Sequence, residues 1–251
     1  MDIALLGSMQ IRGETDYRSV SSKKLQVILG TLSISVASPV SSEQLTDELW
    51  PEKPLANSRN ALQAGIVRLR KLLSQCADEP GAEVLETVAG GYQLNGSLVT
   101  TDAARFHALA RKGTAELSTD PESAVETLQE ALRLWRGPAL FDVDGPSCRT
   151  EAAALEELRL RVREDIIAAK VSLGSHRDVV SELRQLTIKY PEHEGFCEQL
   201  MTVLCREGRQ SEALRLYFDT RKRLVTELGV EPGRPLYTLY QKIVSREPVA
   251  G

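Results

Sequence analysis

The stretch 57–75, NSRNALQAGIVRLRKLLSQ, decides the fold. Residues set at about 100° steps place Leu62, Gly65, Ile66, Leu69, Leu72 and Leu73 in one apolar stripe, the pattern of a helix that covers a core with one side. The opposite face holds Asn60, Gln63, Ala64, Val67 and Lys71, with Arg59 and Arg70 along one border and Arg68 along the other. No acid interrupts the segment. Such a face suits a DNA major groove. Asn and Gln present donor and acceptor together to an adenine edge, a small apolar group meets a thymine methyl, and Arg or Lys reaches guanine or phosphate. Border cations fall over the two phosphate backbones that flank the groove. An ordinary solvated basic face has the same composition, so the neighbouring segments must decide.

Those segments supply a scaffold. Residues 3–6 and 9–11 read as short strands turning at Gly7-Ser8, with 19–21 as a possible third. Leu25, Ile28, Leu29, Leu32 and Val36 form a helical stripe that stops before Pro39. Ser41 and Gln44 stand at capping-box spacing and open a second helix, which ends by Trp50-Pro51. The connection 50–56 exceeds the turn of a simple helix-turn-helix. After the key helix, 83–88 alternates as a strand, Gly90-Gly91 turns the chain, and Tyr92-Gln93-Leu94 runs back. A hairpin directly after a recognition helix is a wing. Its glycines allow the backbone close to a phosphate, and Tyr92 is expected to pack beneath the helix, with a minor-groove contact as the alternative.

From Thr101 the periodicity becomes continuously helical. Asp102 opens a helix as its cap, Asp120-Pro121 starts another that runs through Trp135, and a long helix follows over 150–173. Gly174 and Gly208 stand 34 residues apart, the period of tetratricopeptide repeats. Val179 aligns with Ala213 and Leu183 with Tyr217, and each glycine falls in a turn where a positive φ is expected. The fold class is therefore mainly α: a winged helix-turn-helix with short strands over 1–97, and an all-α tetratricopeptide-like repeat domain over 98–251.

Composition narrows the function. The chain has 251 residues, 42% of them hydrophobic and 26% charged, as in an ordinary globular protein. A net charge of −4 argues against indiscriminate coating of nucleic acid and makes any DNA contact focal. Cys76, Cys148, Cys197 and Cys205 form no CxxC pair, and no histidine stands at metal-ligand spacing. They read as reduced structural thiols, with no metal and no cofactor. The sequence has no HExxH, no GxSxG and no GxxxxGK[ST], so no enzyme is expected. The N-terminal apolar run is short for a signal peptide and no run approaches 20 residues, which places the chain in the cytoplasm, at the nucleoid.

The segments LTDELWPEKPLANSRNALQAGIVRLRKLL (45–73) and GGYQL (90–94) resemble the OmpR-type winged helix of the Streptomyces antibiotic regulatory protein family. RLWRGPALFD (133–142) and EALRLYFDTRKRLVTELGVEPGRPLYTLYQKIV (212–244) resemble that family's bacterial transcriptional activation domain. The resemblance implies a small two-domain activator of an antibiotic gene cluster, bound as two copies to direct repeats and recruiting RNA polymerase holoenzyme through its sigma factor. On this reading Asn60, Gln63 and Val67 face base edges. Arg59, Arg68, Arg70 and Lys71 face phosphate or guanine, and Lys23, Lys24, Gly90, Gly91 and Tyr92 hold the duplex from outside. The loop carrying Trp50, Glu52, Lys53 and Leu55 faces polymerase. Gly65 and Val67 depart from the family, which often has an aromatic and a small polar residue there, and a mid-helix Gly costs roughly 1 kcal/mol. The competing readings are a repeat-domain adaptor or sensor that binds a peptide or ligand, and a repressor with the same DNA domain.

Overall fold

The structure, a computed structural model, describes residues 1–12, 17–52, 57–76 and 80–245. Lys53 and Leu55 of the expected polymerase loop lie outside the described residues. Two compact units emerge, Met1–Ala110 with Glu130–Leu160, and Arg111–Gln129 with Arg161–Gly251.

In the first unit, β1 (Asp2–Ala4), β2 (Gln10–Arg12) and β3 (Tyr17–Ser19) form an antiparallel meander. Three helices follow: α1 (Lys23–Ile34), α2 (Ser42–Leu49) and α3 (Ser58–Leu73). Their stripes meet in a core that buries Ile28, Leu29, Leu32, Leu45, Leu62, Ile66, Leu69 and Leu73. Ser41 caps α2 as its spacing predicts, accepting from the Gln44 amide at 3.0 Å. A Cβ at Gly65 would stand 2.8 Å from Ile28 Cδ1, the end of a flexible side chain on α1 that a small shift would clear. A single turn, α4 (Gly81–Val84), leads into the hairpin of β5 (Leu85–Val88) and β6 (Gly91–Leu94). The hairpin gains a third strand, β4 (Val40–Ser41), on β6.

Two-residue β7 (Thr100–Thr101) pairs parallel with β1, giving the order β3-β2-β1-β7. Beyond it run α5 (Asp102–Glu116), α6 (Pro121–Arg133) and α7 (Pro146–Ser172). Asp102 was expected to cap α5, but Thr101 does so, its Oγ1 accepting from the Ala104 amide at 3.0 Å. The Asp102 carboxylate turns instead to the β1 end, accepting from the Leu5 amide at 2.6 Å and the Leu6 amide at 3.2 Å, with Arg136 at 3.5 Å. Burial raises its pKa against the pull of those partners.

The segment between α6 and α7 belongs to the same unit. The Arg136 amide donates to Leu6 O at 2.8 Å, and Leu140, at φ +49°, donates to Leu5 O at 2.8 Å. Asp142 accepts from the Met9 amide at 2.8 Å and from Gln26 at 2.9 Å. Helix α7 starts at Pro146, four residues earlier than its periodicity suggests, because buried Glu48 of α2 accepts from the Ser147 amide at 3.1 Å and from its hydroxyl. Phe106 meets Trp135 edge-on at 5.2 Å, and the Arg159 guanidinium stands over that indole at 4.2 Å. Compactness thus joins residues 130–160 to the winged helix, whereas the sequence divides the chain at 97/98.

The second unit contains α8 (His176–Lys189), α9 (Glu194–Arg206), α10 (Gln210–Arg223) with a π-helical continuation Leu224–Leu228, and α11 (Arg234–Val244). The 34-residue period is structural. Val179 and Ala213 are both fully buried, Leu183 and Tyr217 are buried in equivalent turns, and Gly174 and Gly208 take φ +84° and +75°. All four cysteines are free thiols, and burial pushes Cys148 up to about 12 and Cys197 up to about 11. Among the described residues, no helix is long and apolar enough to cross a membrane.

Candidate nucleic-acid interface

Helix α3 displays the face its sequence predicts. Arg59, Asn60, Gln63, Ala64, Val67, Arg68 and Lys71 are all exposed, at the i, i+3, i+4, i+7 spacing of one helix side. Val67 stands 65% exposed in the middle of that face, where burial gives it no role. An apolar group there fits the methyl of a thymine. Asn60 and Gln63 flank it on the N-terminal side with free amide heads, since neither takes part in a side-chain hydrogen bond among the described residues. Arg59, Arg68 and Lys71 form no ion pair among the described residues either, so their charges project toward solvent.

Arg70 is placed differently. Its Nε and Nη2 donate to the Leu85 carbonyl at 2.9 and 2.7 Å, and Nη2 also donates to Thr87 Oγ1 at 2.8 Å. The guanidinium fork therefore ties the C-terminal half of α3 to β5, one strand of the wing. Thr87 pairs with Tyr92 and Val88 with Gly91, so the same clamp fixes the hairpin tip relative to α3. Gly90 takes φ +79° at that tip and is exposed. Gly91 is buried against β4, where a Cβ would collide with the Val40 carbonyl. Tyr92 is half-buried and pairs with Val40 of β4.

The lysines of α1 are also engaged. Lys23 Nζ donates to the Asp142 carbonyl at 3.0 Å, and Lys24 stands over the Trp50 ring at 5.2 Å. Lys24 and Trp50 are thus brought together, while Lys23 is tied to the segment before α7. Glu52 is exposed beyond the end of α2. The sequence reading missed Thr87 and the inward turn of Arg70. The available signal was the border position of Arg70, between the apolar stripe and the exposed face, next to Leu69 and Leu73.

A basic, acid-free helix face beside a wing locked to it defines a winged-helix transcriptional regulator. The profile described as "Transcriptional regulatory protein, C terminal" matches residues 19–94, and that described as "Bacterial transcriptional activator domain" matches 101–244. Transcriptional regulator RedD of Streptomyces coelicolor is 41% identical over 99% of this chain and 72% of its own length. Regulatory protein DnrI of Streptomyces peucetius is 34% identical over 99% of this chain and 93% of its own. The solved structure of Mycobacterium tuberculosis EmbR in complex with low affinity phosphopeptide superposes with a TM-score of 0.91 at 30% identity, covering 99% of this chain and 66% of that one. The chain belongs to the Streptomyces antibiotic regulatory protein family, a family of transcriptional regulators.

Proposed function

We propose that this protein activates transcription of an antibiotic biosynthetic gene cluster by sequence-specific binding to promoter DNA. The observation that carries the reading is the exposed face of α3, acid-free and centred on an unburied valine, beside a wing that Arg70 clamps in place. Asn60, Gln63 and Val67 read base edges, Arg59, Arg68 and Lys71 take phosphate or guanine, and Gly90 brings the wing backbone to an adjacent phosphate. Arg70 acts by positioning the wing. Two copies lie side by side on direct repeats about 10–11 bp apart, one helical turn. Trp50 and Glu52 contact the polymerase holoenzyme and its sigma factor. The protein works in the cytoplasm at the nucleoid and carries out no catalysis.

The test is selection of bound duplexes from a random library, followed by run-off transcription from the enriched site. The reading expects paired half-sites at one-turn spacing and a transcript that rises with added protein. Glu52→Ala should lower the transcript while DNA affinity stays within about twofold. No enrichment favours the adaptor, and a falling transcript identifies a repressor.

A further inference from the structure

Aromatic residues make up only 5% of the chain, yet four of them line one open groove in the second unit: Tyr217 and Phe218 on α10, Tyr237 and Tyr240 on α11. The groove measures about 690 Å³. Tyr217 is buried, whereas Phe218 and Tyr237 stand 50% and 47% exposed. Large rings left in water and gathered in one place mark a recognition surface.

The rings form ridges and not a slot. Tyr217 and Tyr240 stack on each other at 4.2 Å and 10°, which leaves no gap for a third ring between them. Phe218 stands edge-on to both, at 5.6 Å and 74° and at 5.7 Å and 73°, and Tyr237 lies tilted against Tyr240 at 6.2 Å and 34°. A flat polycyclic molecule finds no pair of parallel faces here. Puckered pyrrolidine rings suit such a corrugated wall, and a polyproline II segment presents them with about three residues per turn and no internal hydrogen bonds, so its carbonyls are free to accept. Donors are at hand: the hydroxyls of half-exposed Tyr237 and of Tyr240 have no hydrogen-bond partner among the described residues.

Charge decides what flanks the prolines. Arg221 takes both oxygens of Glu231, Nε at 2.6 Å and Nη2 at 2.7 Å, so that carboxylate is answered within the protein. Arg234, exposed at the start of α11, forms no ion pair among the described residues and gives the groove one open positive charge. We propose that this groove binds a proline-rich segment of a partner protein in polyproline II form, with an acidic residue of that segment against Arg234. The site goes beyond the DNA reading and does not rest on it.

The test titrates the full chain into a fluorescein-labelled oligoproline peptide ending in aspartate, read by anisotropy at low salt. The same peptide with alanine at every proline, and one with lysine for the aspartate, serve as comparisons. Saturable binding of the first is expected, with the alanine peptide at least about tenfold weaker and the lysine peptide about threefold weaker. Phe218→Ser and Tyr237→Ala, both at half-exposed rings, should each cost about tenfold or more while the urea midpoint stays at the wild-type value. Tyr237→Phe keeps the ring and should cost about fivefold, the effect of one hydrogen bond. Arg234→Glu should reverse the preference between the aspartate and lysine peptides. Equal affinity for the proline and alanine peptides, or proline binding that survives both ring variants, overturns the proposal. So does sedimentation in which the full chain self-associates, Phe218→Ser abolishes that association and the oligoproline peptide does not compete with it, because the groove then receives a second copy of the chain.

Discussion

Replacing Arg70 by Ala separates a wing clamp from a DNA contact. In the folded protein the guanidinium makes three hydrogen bonds to two acceptors, the Leu85 carbonyl and Thr87 Oγ1. Hydrogen bonds to a charged group contribute about 1.5–3 kcal/mol, and a half-exposed position near solvent falls at the lower end. The Leu85 carbonyl also loses its partner, so a loss of about 2 kcal/mol is expected for the first unit. For a unit of this size that lowers the thermal midpoint by roughly 4–8 °C. The DNA consequence follows from geometry. Arg70→Ala loosens the wing and weakens binding, but it removes no phosphate partner, so the slope of log affinity against log salt stays constant. Arg68→Ala leaves the fold intact and flattens that slope by about one unit. Urea unfolding and fluorescence anisotropy at several salt concentrations measure both quantities. The reasoning is refuted if Arg70→Ala keeps wild-type stability and flattens the slope as Arg68→Ala does, because the arginine then leaves β5 to grip phosphate.

Other perturbations probe the same architecture. Gly91→Ala should separate β4 from β6, because the new Cβ collides with the Val40 carbonyl; a loss of more than about 2 kcal/mol in urea unfolding is expected, with little change denying that contact. A fragment of residues 1–160 should unfold at a higher urea midpoint than one of residues 1–97, which lacks β7, Asp102, Asp142 and the Glu48–Ser147 cap; equal midpoints would show that those contacts carry no stability. In the second unit, Arg209 and Arg184 hold Glu212 down to about 2 against an ordinary value of 4.5. A depressed carboxylate pKa contributes stability above pH 4.5 that disappears as pH falls toward 2. Glu212→Gln should therefore flatten the urea midpoint between those pH values, and an unchanged profile excludes the cluster.

Much of this architecture was written in short-range pattern. The apolar stripes of α1 and α3, the Ser41–Gln44 cap and the positive-φ turns at Gly174 and Gly208 all involve residues within a few positions or one repeat of each other. The exposed face of α3 follows from the same periodicity, because the side opposite a buried stripe has nowhere else to point. The missing parts depend on partners far away in sequence. Thr101 reads as the start of the helical periodicity until β1 pairs with it through Ile3, and Asp102 looks like a helix cap until the Leu5 and Leu6 amides claim its carboxylate. Arg70 belongs to the same class, since its acceptors 15 and 17 residues later come within reach only when the hairpin folds back on α3. Helix α7 begins early for the same reason, its Ser147 amide satisfied by Glu48 of a distant helix. Side-chain type and spacing announce that a polar group needs a partner, but not which partner the fold will bring to it.

The measurement that tests the central claim most directly is binding of the full protein to promoter DNA upstream of its own gene, compared with the same duplex scrambled, by fluorescence anisotropy at two salt concentrations. The account predicts a preference of roughly 10³-fold or more for the promoter, a steep fall in affinity with salt, and loss of the preference when Asn60, Gln63 and Val67 are replaced together by Ala. Equal and weak binding to both duplexes, or a preference that survives the triple replacement, contradicts it.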